Sequence, residues 1–204
     1  MVNPSTVVNC TAYHCEGVNK SGYIVPDIEF DPEKVRMMVI SEAAPTKPED
    51  YYYAHGEPLF EQTTVQAFQD AGLDVHAISE LVEMGVYFTT AVKCGKTSYT
   101  IKGGPIKQCS QLLEQEIEMF PNLKVIMLMG DVAIKAFNYV ARRKVGKKVV
   151  PSGSTYKIRK GEYYYKDVRV FPSYLQAGPS FFIERSKRRM IKEDLEQALA
   201  IMKG

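Results

Sequence analysis

The sequence predicts an α/β protein, a three-layer α/β/α sandwich around a central, mainly parallel four-stranded sheet. Three observations carry that prediction: short and nearly continuous apolar runs, helical patterns between them, and small or polar residues at the end of each run. The runs Met37 to Ser41, Val86 to Val92, Lys124 to Gly130 and Val168 to Pro172 are rich in β-branched, aromatic and other apolar residues. They lack the alternation of a half-exposed strand, and so read as parallel strands covered on both faces. Helical patterns fall at Thr63 to Ala71, Ile106 to Met119 and Val132 to Ala141. Alternation of strand and helix is the pattern of a sheet with helices on both sides. The Tyr-rich segment Thr155 to Lys166, with Arg159-Lys160-Gly161-Glu162 in its middle, reads as a β-hairpin inserted before the last parallel strand. Ile191, Leu195, Ala198, Leu199 and Met202 then recur at helical spacing, so the chain closes on an amphipathic helix.

The chain of 204 residues is long enough for one sizeable core and shows no repeat, so one domain over 1–204 is expected. Residues 1–30, rich in Gly, Pro, Asn and Cys, are expected to be irregular and tied down by a metal site. No basic start followed by an apolar stretch marks a secretory signal, and no apolar run approaches the length that spans a bilayer. A cytoplasmic monomer without membrane contact is expected. Net charge is only +2, yet Arg142-Arg143-Lys144, Lys147-Lys148, Lys157-Ile158-Arg159-Lys160 and Arg185-Ser186-Lys187-Arg188-Arg189 crowd the last third. Such clusters either neutralise phosphates or form solvated faces.

The chain has four cysteines, Cys10, Cys15, Cys94 and Cys109, spaced Cys-x4-Cys and Cys-x14-Cys across a long gap. Cys94 lies in Lys93-Cys94-Gly95-Lys96 and Cys15 follows His14, which are polar neighbourhoods rather than core ones. Four thiolates gathered from distant points suit zinc or an iron-sulfur cluster. Free or disulfide-paired thiols are the alternative, since the paired CxxC knuckles of a zinc ribbon are missing; a reducing compartment disfavours the disulfides.

In parallel α/β sheets, ligands bind outside the carboxyl ends of the strands. Here those ends carry Ser41-Glu42-Ala43-Ala44-Pro45, Thr89-Thr90-Ala91, Gly130-Asp131, and Pro172-Ser173-Tyr174-Leu175-Gln176-Ala177-Gly178-Pro179-Ser180. All four loops are expected on one face.

Taken in order, these segments resemble the uracil-DNA glycosylase superfamily, particularly its iron-sulfur branch, the family 4 enzymes. Val39-Ile40-Ser41-Glu42-Ala43-Ala44-Pro45 is similar to the family's first motif, a strand ending in Gly-Glu-Ala-Pro-Gly, with Glu49-Asp50 where that family has an acidic pair. Gly56-Glu57-Pro58-Leu59-Phe60 resembles its pocket segment, and Val86 to Cys94 its strand ending in Asn-Ala-Val-Lys-Cys. Leu113 to Ile117 and Leu128 to Ala133 are similar to the helix and strand that follow. The similarity covers about residues 10 to 200. It implies a [4Fe-4S] cluster on Cys10, Cys15, Cys94 and Cys109, although the first pair is commonly Cys-x2-Cys in that branch.

The resemblance also implies DNA, single- or double-stranded, as partner and a target nucleotide flipped into a pocket for hydrolysis of its N-glycosidic bond. It places Glu42 at the water-positioning acid, Phe60 next to the base-stacking position, Thr90 at the base-reading Asn, and Ser180 in the third motif. That motif is His-Pro-Ser in the family and Gly178-Pro179-Ser180 here, so the leaving-group histidine is missing. Of His14, His55 and His76, His14 goes with the cysteines, His76 falls in an expected helix, and His55 beside the pocket segment is the candidate substitute. Thr90 offers one hydroxyl where an amide would make a bidentate contact. Two functions follow: a DNA glycosylase acting on uracil or another damaged base, and a catalytically inactive or altered nucleic-acid-binding relative that keeps the cluster. A third, action on a free nucleotide, rests on Tyr51-Tyr52-Tyr53 as the wall of a small aromatic pocket.

Overall fold

In the computed structural model the four apolar runs become adjacent strands of one sheet, and the expected helices are present with bounds shifted by a few residues. The structure describes residues 1–10 and 14–204; Thr11, Ala12 and Tyr13, inside the segment expected to be irregular, lie outside the described residues. In chain order the elements are α1 (Pro4–Val7), β1 (Val18–Asn19), β2 (Met37–Ala44), α2 (Leu59–Asp70), α3 (Ile78–Glu83), β3 (Val86–Lys96), α4 (Gly103–Glu118), β4 (Val125–Met129), α5 (Asp131–Val145), α6 (Thr155–Ile158), β5 (Tyr163–Tyr165), β6 (Val168–Ser173), α7 (Ser180–Ile183) and α8 (Arg185–Lys203). The sheet order is β1-β3-β2-β4-β6-β5. The inner four strands run parallel, and β1 and β5 add antiparallel edges.

The sheet therefore has six strands where four were expected. Both additions are short, two and three residues long, and neither carries the apolar run by which the inner strands were recognised. The inserted hairpin is also displaced. Its arms are β5 and β6, joined through Lys166, the one described non-glycine residue at positive φ, while Thr155 to Ile158 is helical. The helical turn is held by Thr155 Oγ1 donating to Asp131 at 3.4 Å, and Arg159 turns inward to Asp194.

Strand alternation sends successive side chains to opposite layers. Met38, Ile40, Tyr87, Ala91, Ile126, Leu128 and Val170 pack with the apolar faces of α4 and α5. Met37, Val39, Val86, Phe88, Val125, Met127 and Phe171 pack with α2, α3 and α8. The two cores, one on each side of the sheet, make the three layers. Helix α8 buries Ile191, Leu195, Ala198, Leu199 and Met202, the whole predicted face, and Asp194 besides.

The described residues of the first thirty hold short elements, and hydrogen bonds dock them. Val2 pairs with Phe30, Tyr23 Oη donates to Val8 O at 3.0 Å, and the Ile24 amide donates to Lys93 O at 2.8 Å. Strand β1 closes on Gly95 and Lys96 at the end of β3.

Candidate functional site

Strand β2 places Ser41 and Glu42 on opposite faces of the sheet at its carboxyl edge. Glu42 turns towards α5. Its Oε1 lies 3.5 Å from the Val132 amide in the first turn of α5, and Lys96 Nζ stands 3.9 Å from Oε2. Burial raises the Glu42 carboxyl above its ordinary value, with Asp131 adding to the rise while Lys96, the Val132 N–H and Lys135 oppose it. A mostly buried carboxylate at a helix N-terminus is stabilised by the helix dipole and unpaired amides. It stays within reach of solvent, with its side chain 19 % exposed. Gly130, just before α5, has φ of +102° and touches this carboxylate.

Ser41, on the other face, joins a buried polar network. The Tyr52 hydroxyl bonds Ser41 Oγ and accepts from Gln176 Nε2 at 3.1 Å, while Ser41 Oγ lies 3.4 Å from Gln176 Oε1. Gln176 Nε2 also reaches Thr64 Oγ1 at 3.4 Å, and the Gly178 amide donates to Thr63 Oγ1 at 3.3 Å. These bonds lock the loop after β6 onto α2 and the end of β2. Thr90 is the register partner of Ser41 across β2 and β3 and so shares its face. It is fully buried, and its Oγ1 has no hydrogen-bond partner, a property it shares with Tyr51 Oη. Orphaned buried hydroxyls carry a desolvation cost of about 1–3 kcal/mol, which a ligand can relieve.

The other sequence candidates are placed less favourably. Phe60 is half-buried in the first turn of α2, its ring 5.3 Å from that of Tyr52, as part of the aromatic core. His55 is exposed in the turn before α2 and makes no hydrogen bond or ion pair among the described residues. His76 lies in the loop before α3 rather than on a helix, facing Asp74 at 3.3 Å. Ser180 is exposed at the start of α7. Tyr51 and Tyr52 are buried, and Tyr53 Oη binds both backbone groups of Phe88 at 3.0 Å, so the three-tyrosine run is packed interior rather than the wall of an open pocket.

The four cysteines are free. Cys94 sits where the β2–β3 register jumps: Ala43 faces Val92 and Ala44 faces Gly95, leaving Lys93 and Cys94 without opposite residues. Such a bulge re-aims side chains. Cys109 lies on the buried face of α4. Burial pushes the Cys109 thiol up to about 11, with Cys94 and Cys15 adding to the rise. Cys94 is raised by burial and then by Cys10 and Cys15, and Cys15 by burial and then by Cys10. Cys15, Cys94 and Cys109 thus lie close around the junction of the N-terminal segment, β3 and α4, with Cys10 near Cys15 and Cys94. Among the described residues, no three His, Cys, Asp or Glu side chains close to the spacing of a single metal ion.

Beside them lies an ionic network that sequence reasoning missed. Lys93 Nζ pairs with Glu116 and donates to Thr89 Oγ1 at 2.7 Å and Thr90 O at 2.6 Å, while Tyr87 Oη and Thr89 Oγ1 donate to Glu116 at 2.6 and 2.7 Å. Lys93 and Glu116 side chains are both 0 % exposed. The only sequence signal was a lysine within an apolar strand and a glutamate on the buried side of a helical repeat.

The carboxyl edge of this parallel sheet carries a solvent-reaching carboxylate on its α5 face and a buried amide network with an orphaned hydroxyl on the other, at the edge where ligands of such α/β sheets bind. The chain belongs to the uracil DNA glycosylase superfamily, whose family model matches residues 28–199. It is accordingly a DNA glycosylase-like protein of a superfamily that acts on DNA. Cys94 and Cys109 lie within the matched residues and Cys10 and Cys15 before them. No curated protein matches the chain. Among the described residues, no helix is long and apolar enough to cross a membrane.

Proposed function

We propose that the protein binds DNA and hydrolyses the N-glycosidic bond of uracil or another damaged base, with Glu42 as the catalytic carboxylate. The observation that carries this reading is Glu42 itself: partly solvent-accessible, at the N-terminus of α5, at the carboxyl edge of the sheet. An ionised Glu42 can orient a water and accept its proton as the sugar develops oxocarbenium character and the base departs with the bond's electron pair. Thr90, with its unpartnered Oγ1, is the base-facing group. Phe60 is assigned to the apolar wall of the pocket, Ser180 to the strand-contacting loop, and His55 to a supporting role at the mouth. The polar network of Ser41, Tyr52 and Gln176 holds that loop against the pocket.

Cys10, Cys15, Cys94 and Cys109 would hold a [4Fe-4S] cluster, which supplies a covalent cross-link between the N-terminal segment, β3 and α4. The reading rests on four thiols drawn together around one junction and on the suitability of four thiolates for such a cluster.

The second reading, a DNA-binding relative without base excision, is favoured by one observation. Gly178 stands in the third motif with φ of +110°, a backbone state unsuited to the histidine found there in relatives. Labelled oligonucleotides carrying a single uracil, single- and double-stranded, incubated with the protein and then treated with alkali, separate the two. Strand scission at the uracil supports excision, and binding without scission supports the relative that only binds.

A further inference from the structure

Half of the twelve basic residues in the clusters of the last third are paired with carboxylates among the described residues. Arg143 and Lys144 bind Glu114, with Lys144 also on Glu118; Arg159 binds Asp194 and Glu193; Arg188 binds Asp70. Lys135, Arg142 and Lys148 behave differently. All three are exposed, have no carboxylate partner among the described residues, and line one cleft of about 370 Å³ between α5 and the loop that returns to α6. The cleft is of the size that small ligands occupy. Its remaining lining divides into an apolar part, Ile134, Ile158 and Pro151, and a polar part that includes Asn138, Tyr139 and Ser152. Asp131 stands at one end, its carboxylate accepting from Thr155 Oγ1 at 3.4 Å, and Ser152 Oγ accepts from Lys148 Nζ at 3.0 Å.

The framework under these cations is rigid. Asn138 is buried and clamps the loop to α5: its Oδ1 accepts from the Val149 and Val150 amides, each at 3.1 Å, and its Nδ2 donates to Val150 O at 2.9 Å. Lys135 and Arg142 are seven residues apart on one face of α5, about 10 Å along the helix at 1.5 Å per residue. That distance matches about three nucleotides of stacked strand at 3.4 Å each. Three cations without a carboxylate partner among the described residues, lining one cleft with an apolar part, suit a ligand that carries phosphate and a flat apolar base.

We propose that this cleft is a second site that takes a nucleotide unit, with its phosphate on Arg142 and Lys148, its base against Pro151, Ile134 and Ile158, and Lys135 placed for a further phosphate of the same strand. The unit belongs to a DNA strand leaving the carboxyl-edge site, because Asp131, which lines the cleft, directly precedes Val132, whose amide lies 3.5 Å from Glu42 Oε1. The identity of the strand rests on the DNA-acting reading; recognition of the phosphate does not.

Titrations of thymidine 5′-monophosphate, thymidine and a short oligothymidylate, followed by amide NMR, test the proposal on the wild type and on Arg142→Ala/Lys148→Ala. Both substituted side chains are exposed, so the fold should persist. Phosphate-bearing probes should shift the amides of residues 148–153 and bind at least tenfold more weakly to the variant, and thymidine should bind at least tenfold more weakly than its monophosphate. Oligothymidylate affected alone assigns the strand, and monophosphate affected equally assigns the free nucleotide. Equal binding by wild type and variant, or shifts elsewhere on the surface, overturns the proposal. Failure of uracil scission with an intact response here contradicts the glycosylase reading and leaves this site standing.

Discussion

A Cβ placed on Gly130 would lie 2.6 Å from Oε1 of Glu42. The absence of a side chain at residue 130 is therefore what lets the carboxylate rest against the start of α5, and the positive φ of +102° makes the same demand independently. Gly130→Ala is expected to cost about 1–3 kcal/mol in backbone strain. It should also displace Glu42. Chemical denaturation reads the first effect. The second should appear as a fall in base release that persists in temperature-matched folded protein; a variant with lowered stability and normal release would separate Glu42's position from its function.

The cysteine site predicts its own colour. Protein purified without oxygen should be brown and contain iron and sulfide, and Cys94→Ala should lose both together with part of its stability, because metal binding to a site split across the chain is folding energy. Zinc in a colourless protein would contradict the cluster. Hydrogen bonds such as that from the Ile24 amide to Lys93 O already dock the N-terminal segment, so residual fold should survive in the variant.

Lys93 and Glu116 form a wholly buried pair. Lys93→Met leaves the Glu116 carboxylate without its cation and should destabilise the fold by about 3–5 kcal/mol. Replacing both, as Lys93→Met/Glu116→Gln, should recover much of that loss, since the Gln amide still accepts from Tyr87 and Thr89. Urea midpoints of the two variants check this. If the single variant is as stable as the wild type, the pair contributes specificity of packing and little else.

Much of the fold was legible because its signals are local. Val39, Val86, Leu128 and Val170 sit in runs that only a doubly covered strand explains, and Ile191 to Met202 repeat as one helical face. Of the edge strands, β1 was not legible, because Val18 pairs through backbone groups that carry no sequence pattern, whereas β5 was legible as one arm of the Tyr-rich hairpin but not in its pairing with β6. At the site, Glu42 was legible as a polar residue ending an apolar run. Gln176, Tyr52 and Ser41 were not, because their contact joins residues 11 to 135 positions apart and only the fold brings them together. Arg159 misled for a related reason: a basic residue in a Lys-rich stretch reads as solvated, yet it is buried against Asp194 on α8.

The central claim, that Glu42 carries out base excision, is tested most directly by single-turnover release of free base from oligonucleotides containing uracil or another deaminated base. Mass spectrometry identifies the product, and wild type is compared with Glu42→Gln. The carboxylate form is the active one, and burial raises its pKa above the ordinary 4.5. Release should therefore be full at neutral pH and decline as pH falls through a value above 4.5. Glu42→Gln should lower release at least a hundredfold, in line with the 10²–10⁴-fold worth of a general base, and abolish that acid limb. Release by Glu42→Gln at the wild-type rate, or no release of any damaged base by wild-type protein that binds the same DNA, would contradict the account.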